Sequence, residues 1–223
     1  MAPIRKITYK DHVAEHVYEC ILDGRYQSGD QVKESQLASE LGISRAPVRE
    51  ALKELTVSGI IDYRPQVGSF IARLSPKEIS DAYTTRGILE GYTIMATRDR
   101  FSEADIRELQ SLVGEMRMTA ERGDRKGVVQ VGDVFHSLLI SRNSNSQLAE
   151  YMERLRLKLH VLFCRHWSDL YSPGEIGDRH MRIVTSLVSG DPLAIEQTVR
   201  QHYSESGDKI AALSREKEKI IAA

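Results

Sequence analysis

Arg45, Arg49 and Lys53 recur every four residues in SRAPVREALKEL, so a helix through this stretch stacks three cations on one face. A guanidinium fork matches the two acceptors on a guanine edge, and a helix N-terminus favours phosphate; such a face suits the major groove of DNA. A basic stripe on an amphipathic helix also serves as a plain solvated surface, and the stripe by itself leaves both readings open. His136, His180 and His202 form a second set of candidates. Three imidazoles suit a borderline cation such as Zn²⁺ or Ni²⁺, provided the fold brings them together. Taken singly, each also suits a surface or a hydrogen-bonded core position.

The cations need a frame. Leu37, Ala38 and Leu41 share one face of a short helix, Gly42 sits where a helix end favours positive φ, and Ser44 can cap the helix that follows. Val48, Leu52 and Leu55 then point away from the cations, which gives a helix-turn-helix pattern. Beyond Ser58-Gly59, the runs Ile60–Tyr63 and Ser69–Ala72 flank the turn Arg64-Pro65-Gln66-Val67-Gly68, a hairpin wing. Upstream, Tyr9 to about Gly24 reads as a helix with Val13, Val17, Ile21 and Leu22 inward and an acidic stripe at Asp11, Glu15, Glu19 and Asp23. His12 and His16 lie four apart on it with no third ligand nearby and read as a solvated pair.

The stretch ESQLASELGISRAPVREALKELTVSGIIDYRPQVGSFIARL resembles the DNA-binding domain of GntR-type bacterial transcription regulators over roughly seventy residues. The family reads DNA with the start of the second helix. The resemblance therefore implies Ser44, Arg45 and Arg49 as contacts, with Gly68 at the wing tip; Lys53, from its spacing, extends the same basic face. Many relatives carry a second glycine in the wing, where this chain has Gln66 and Val67.

Ser75-Pro76-Lys77-Glu78 supplies an N-cap, a proline at the first helical position and an acid at the third. A new domain is expected from there, giving residues 1–74 and 75–223. Helices read at roughly 76–98, 103–122, 125–141, 146–168, 174–189 and 192–216, with no strand pattern among them. The chain should be mainly α, a winged helix-turn-helix followed by an all-helical bundle of about six helices. On TRGILE (Thr85–Glu90), DVFHSLLISRNSN (Asp133–Asn145), His180 and His202, this second part resembles the FCD ligand-binding domain of the FadR-type branch of the same family.

That resemblance implies a divalent metal held by His136, His180 and His202 with an aspartate one helical turn before the first. Gly132 stands at that position, and Asp133, on nearly the same face, is the expected replacement. Arg86 is implied in the ligand cavity, where a guanidinium grips a carboxylate; an intrahelical pair with Glu90 is the alternative, and the two are compatible. The implied effector is a small organic acid. His160 and His166 do not share a helix face, and Phe163 and Trp167 read as core.

With 31 basic and 32 acidic residues the net charge is −1, so any nucleic-acid contact must be local. Cys20 and Cys164 are too few for a disulfide framework, and MAPIRKITYK lacks the apolar core of a signal peptide, so a cytoplasmic protein is expected. A metal-dependent hydrolase built on the three histidines would need an acid or base aimed at a bound water, and neither HExxH nor a phosphate loop occurs. The expected function is a non-enzymatic transcription regulator, homodimeric on a two-fold DNA site because one short helix reads too few bases alone.

Overall fold

The computed structural model of the chain describes residues 8–222, apart from the side chains at 157, 160–168 and 217–222. His160, Phe163, Cys164, His166 and Trp167 therefore lie outside the described side chains. The chain divides into two compact units, Met1–Arg73 and Leu74–Ala223.

In the first unit, Thr8 and Asp11 cap α1 (Tyr9–Leu22) reciprocally, each accepting a backbone N–H of the other. Helices α2 (Glu34–Glu40) and α3 (Arg45–Val57) are joined through Gly42, whose φ of 63° suits a residue without Cβ. Ser44 occupies the N-cap position of α3 with extended backbone, but its side chain makes no capping hydrogen bond. Val13 and Val17 of α1, Leu37 of α2, and Val48, Leu52 and Leu55 of α3 are buried. Each such side chain removed from water contributes roughly 1.5–3 kcal/mol.

The wing is a three-stranded antiparallel sheet, one strand more than the sequence reading expected: β1 (Gln31–Val32), β2 (Ile61–Arg64) and β3 (Gly68–Ile71), in the order β1-β3-β2. Gln31 faces Phe70 and Ile61 faces Ile71 across the ladders. Two residues of β1 are too few for alternation to register in sequence. At the wing tip Val67 N–H donates to the Arg64 carbonyl at 3.1 Å, Pro65 holds the second turn position, and Gln66 takes φ 62°, the left-handed conformation usually given to glycine.

The second unit contains α4 (Pro76–Thr97), a 3₁₀ turn (Arg98–Arg100), α5 (Glu103–Glu121), α6 (Arg125–Ile140), α7 (Ser146–Leu170), α8 (Pro173–Ser189) and α9 (Pro192–Ala222). Capping boxes Ser75/Glu78, Ser102/Asp105 and Ser172/Glu175 start α4, α5 and α8, each a pattern legible in the sequence. The core joins Ile94, Leu109, Met116, Phe135, Leu139, Ile176, Ile183, Ile195 and Val199. Helices α4 and α9 approach closely because glycines face across the contact. A Cβ on Gly87 would sit 3.2 Å from Arg200 Cα, and one on Gly207 would sit 2.7 Å from Tyr83 Cβ. This approach sets Tyr83, Arg86 and Glu90 of α4 against the His202–Ser206 stretch of α9, where the site lies. Among the described residues no helix is long and apolar enough to cross a membrane.

Candidate functional site

His136 of α6, His180 of α8 and His202 of α9 converge, with one ligand nitrogen from each lying within 4.8 Å of the others. Ring centroids are 4.7 Å apart for His180–His202, 5.4 Å for His136–His202 and 5.5 Å for His136–His180. Hydrogen bonds on the far side of the rings orient two of them. His180 Nδ1 lies 2.7 Å from the Ile176 carbonyl one turn back, so it carries the proton and leaves Nε2 with the lone pair. His136 Nδ1 lies 2.5 Å from Glu90 Oε1 and 3.2 Å from the Tyr203 hydroxyl. His202 Nδ1 is buried and has no hydrogen-bond partner among the described residues.

Burial, reinforced by His136, pulls the His180 imidazole down to about 3, and burial beside His180 and Arg179 pushes His202 well below its ordinary range. Both rings are therefore neutral at physiological pH, the form that donates a lone pair to a metal. Glu90 is fully buried; burial pushes its carboxyl up, but His136, Arg86 and the Tyr203 hydroxyl outweigh that and hold it at about 2. Two imidazoles oriented from behind, an unpartnered buried nitrogen on the third and an anionic carboxylate behind His136 fit a divalent ion of the Zn²⁺ or Ni²⁺ kind.

Asp133, expected as the fourth ligand, lies outside this group; its Oδ2 accepts from Arg156 Nη1 of α7 at 3.0 Å. The physical reason is a competing partner: Asp133 lies about 60° round the helix from His136, still on the same side, and the Arg156 guanidinium of α7 takes its carboxylate. Gly132 does line the cavity next to the histidines, and a Cβ built there meets only Met116 Cε, at 3.9 Å.

The cavity has a volume of about 70 Å³. Arg86, only 3% exposed, lines it while its Nε donates to Glu90 Oε2 at 3.1 Å, so the intrahelical pair and the cavity position occur together. Sequence reasoning missed Arg179, also buried on the cavity wall. It is ion-paired with Glu205, donates from Nη2 to the His202 carbonyl at 2.6 Å and to Ser206 Oγ at 3.1 Å, and stacks on Tyr171 with 4.2 Å to the ring centroid. Tyr83, Tyr171 and Tyr203 were missed as well. Arg179 and Tyr203 adjoin two of the histidines in sequence, but neighbours on a helix are about 100° apart and give no signal that both face inward.

In the first unit Arg45, Arg49 and Lys53 are all exposed on α3. Arg49 is held by a two-point fork from α2, Nε to Glu34 Oε1 at 3.2 Å and Nη2 to Oε2 at 3.0 Å. Gly68, at φ 129°, begins β3 beside the wing turn, and Gln31 Nε2 ties the turn to β1 by donating to the Val67 carbonyl at 3.0 Å. His16, read as solvated, is half-buried with Nε2 3.5 Å from Glu40 Oε2, whereas His12 is exposed.

Residues 9–71 match the family described as bacterial regulatory proteins, gntR family, and residues 81–205 match the FCD domain. The chain is 27% identical to a probable D-xylose utilization operon transcriptional repressor of Paenarthrobacter nicotinovorans, over 90% of this chain and 88% of that protein. It is 24% identical to the HTH-type transcriptional repressor RspR of Escherichia coli K12, over 84% and 82% of the two chains. Among solved structures it superposes on E. coli McbR/YncC with a TM-score of 0.75 at 19% identity, covering 96% of this chain and all of the other. A putative GntR regulator from Rhodococcus sp. RHA1 superposes with a TM-score of 0.74 at 21% identity, over 91% and 97%. The two sequence relatives are named as transcriptional repressors rather than enzymes, which removes the hydrolase reading of the histidines. Matched along both of its units, the chain belongs to the GntR family of bacterial transcriptional regulators, with a winged helix-turn-helix at its N-terminal side and an FCD domain after it.

Proposed function

We propose that the protein is a homodimeric operator-binding regulator whose affinity for DNA is set by a small carboxylate held in the helical unit together with a divalent ion. The observation that carries this reading is the convergence of three histidines and two buried arginines on one cavity. A cavity with cationic walls selects an anion, and a guanidinium edge grips a carboxylate in two hydrogen bonds. His136, His180 and His202 would hold the ion, which when bound supplies a Lewis-acidic position for a carboxylate oxygen. Arg86 orients that carboxylate, and Glu90 keeps both Arg86 and His136 in place.

In the N-terminal unit Ser44, Arg45, Arg49 and Lys53 face the major groove, with the wing around Gly68 following the backbone. The helical unit supplies the dimer contact, and the effector acts through unequal affinity for two dimer arrangements, one of which spaces the reading helices correctly. The test is operator selection from genomic fragments with full-length protein, then titration of small acids against the best fragment with and without Zn²⁺ or Ni²⁺. An acid that changes operator affinity in the wild type and has no effect on Arg86→Ala supports the reading. No response to any acid, with or without metal, overturns it.

A further inference from the structure

We infer that the cavity selects a hydroxylated carboxylate, with the Tyr83 hydroxyl as the group that reads the ligand's hydroxyl. The inference rests on the reading of the cavity as a carboxylate site and adds to it the class of acid. Among the described residues three tyrosines line the cavity. The Tyr203 hydroxyl donates to Glu90 Oε2 at 2.9 Å, and the Tyr171 hydroxyl lies 3.1 Å from Ser206 Oγ. Tyr83 differs. Its side chain is 3% exposed, and its hydroxyl oxygen is buried with no hydrogen-bond partner among the described residues.

Packing does not explain that oxygen. The Tyr83 ring fills the space opposite Gly207, and its centroid lies 6.4 Å from that of Tyr203, two contacts a phenylalanine would make equally well. A buried hydroxyl without a partner is a standing cost to the fold, and Tyr83 lines the cavity with its phenol in electrostatic reach of Tyr171, Arg86 and Arg179 on the same walls, so the cavity's occupant is the partner we assign to it. Burial pushes the phenol's ionisation far up, which keeps it a neutral O–H able both to donate and to accept.

Position narrows the class further. Tyr83 precedes Arg86 by three residues on α4, so the two share a helix face, and Arg86 and Arg179 both act electrostatically on the phenol. A carboxylate gripped by Arg86 therefore presents its adjacent carbons toward Tyr83. A hydroxyl there completes the phenol's hydrogen bonding, whereas a plain alkyl chain would cover it and leave it unpaired. The cavity of about 70 Å³ is small, which favours an acid of a few carbons.

The experiment uses full-length protein and pairs of acids that differ by one hydroxyl: acetate and glycolate, propionate and lactate, succinate and malate. Binding is measured by calorimetry in wild type, Tyr83→Phe and Arg86→Ala, with melting temperatures of the free proteins alongside. In at least one pair the hydroxylated acid should bind wild type at least about tenfold more tightly, since a site built to hydrogen-bond a hydroxyl rejects the analogue without it. Tyr83→Phe should erase that preference by weakening the hydroxylated member alone. Free Tyr83→Phe should melt at or above the wild-type temperature, because an unpaired polar atom has been removed. Equal binding within every pair, or a preference that survives in Tyr83→Phe, overturns the assignment to Tyr83 while Arg86-dependent binding keeps the carboxylate reading standing. If no acid binds wild type at all, the carboxylate reading fails and this inference with it.

Discussion

At the residue scale the two sites depend on how single side chains are held. Glu34 clamps Arg49 from behind, which limits the wandering of a long side chain and presents one edge of its fork to solvent. Arg49→Ala is expected to weaken operator binding by roughly tenfold or more and to relax base preference at one position per half-site. Titrations at one fixed salt concentration check this, and unchanged affinity removes Arg49 from the reading face. In the cavity, Gly132→Asp is expected to add an anionic ligand where the backbone has room for a side chain, tightening Zn²⁺ or Ni²⁺ binding by at least about tenfold. Competition with a chelator measures it. The buried imidazoles also set an acid limit on the metal-free protein. His180 titrates at about 3 in the fold against 6.5 in the unfolded chain, so the unfolded state binds more protons between those values. Stability is therefore intact above about 6.5 and declines as pH falls toward 3, and Glu90, lowered from 4.5 to about 2, adds to the loss below about 4.5. Thermal melts in a chelating buffer should show a falling melting temperature over this range, with a shallower decline in His180→Gln between pH 6.5 and 4.5.

At the scale of elements, the pairing of α4 with α9 builds the cavity. Tyr83 and Arg86 come from one helix and His202, Tyr203 and Ser206 from the other, and glycines at 87 and 207 allow the two backbones to approach. Gly207→Ala places a methyl group 2.7 Å from Tyr83 Cβ, too close without movement of one helix. The expected cost is roughly 1–3 kcal/mol of stability from overpacking, seen as a melting temperature lower by several degrees, together with weaker metal binding because His202 moves with α9. A variant with unchanged melting temperature and metal affinity would show that the close approach is not needed. In the wing, Gln66 takes the left-handed conformation that many relatives are expected to give to glycine, and Gln31 of β1 ties down the turn from the third strand.

At the scale of the whole molecule, one winged unit carries a single short reading helix, and the three exposed cations of α3 on a chain of net charge −1 make a weak electrostatic footprint. Coupling two such units through a dimer converts the second contact into an intramolecular event. Residues 1–74 alone are therefore expected to bind the operator at least about a hundredfold more weakly than the full chain, a difference that gel shift at matched salt reads directly. Equal affinity from a full-length protein that sediments as a monomer would overturn the dimer reading.

How much was legible in the sequence divides along local and non-local physics. Helix starts at Ser75, Ser102 and Ser172 could be read because a capping box lies within four residues, and the apolar stripe of α3 with its cations opposite follows from a 3.6-residue period. The family resemblance rested on such local patterns and extended them to a histidine set in chain order. Only the tertiary structure decided which side chains meet. Asp133 turned to Arg156 because the packing of α7 brings a guanidinium to its carboxylate, and Arg179 came to the cavity wall through α8–α9 packing that no spacing encodes. Strand β1 has two residues, below the length at which alternation can register. Periodicity specifies the face a side chain occupies on its own helix, whereas the partner opposite that face depends on how helices distant in sequence pack, and the unpaired hydroxyl of Tyr83 is visible only there.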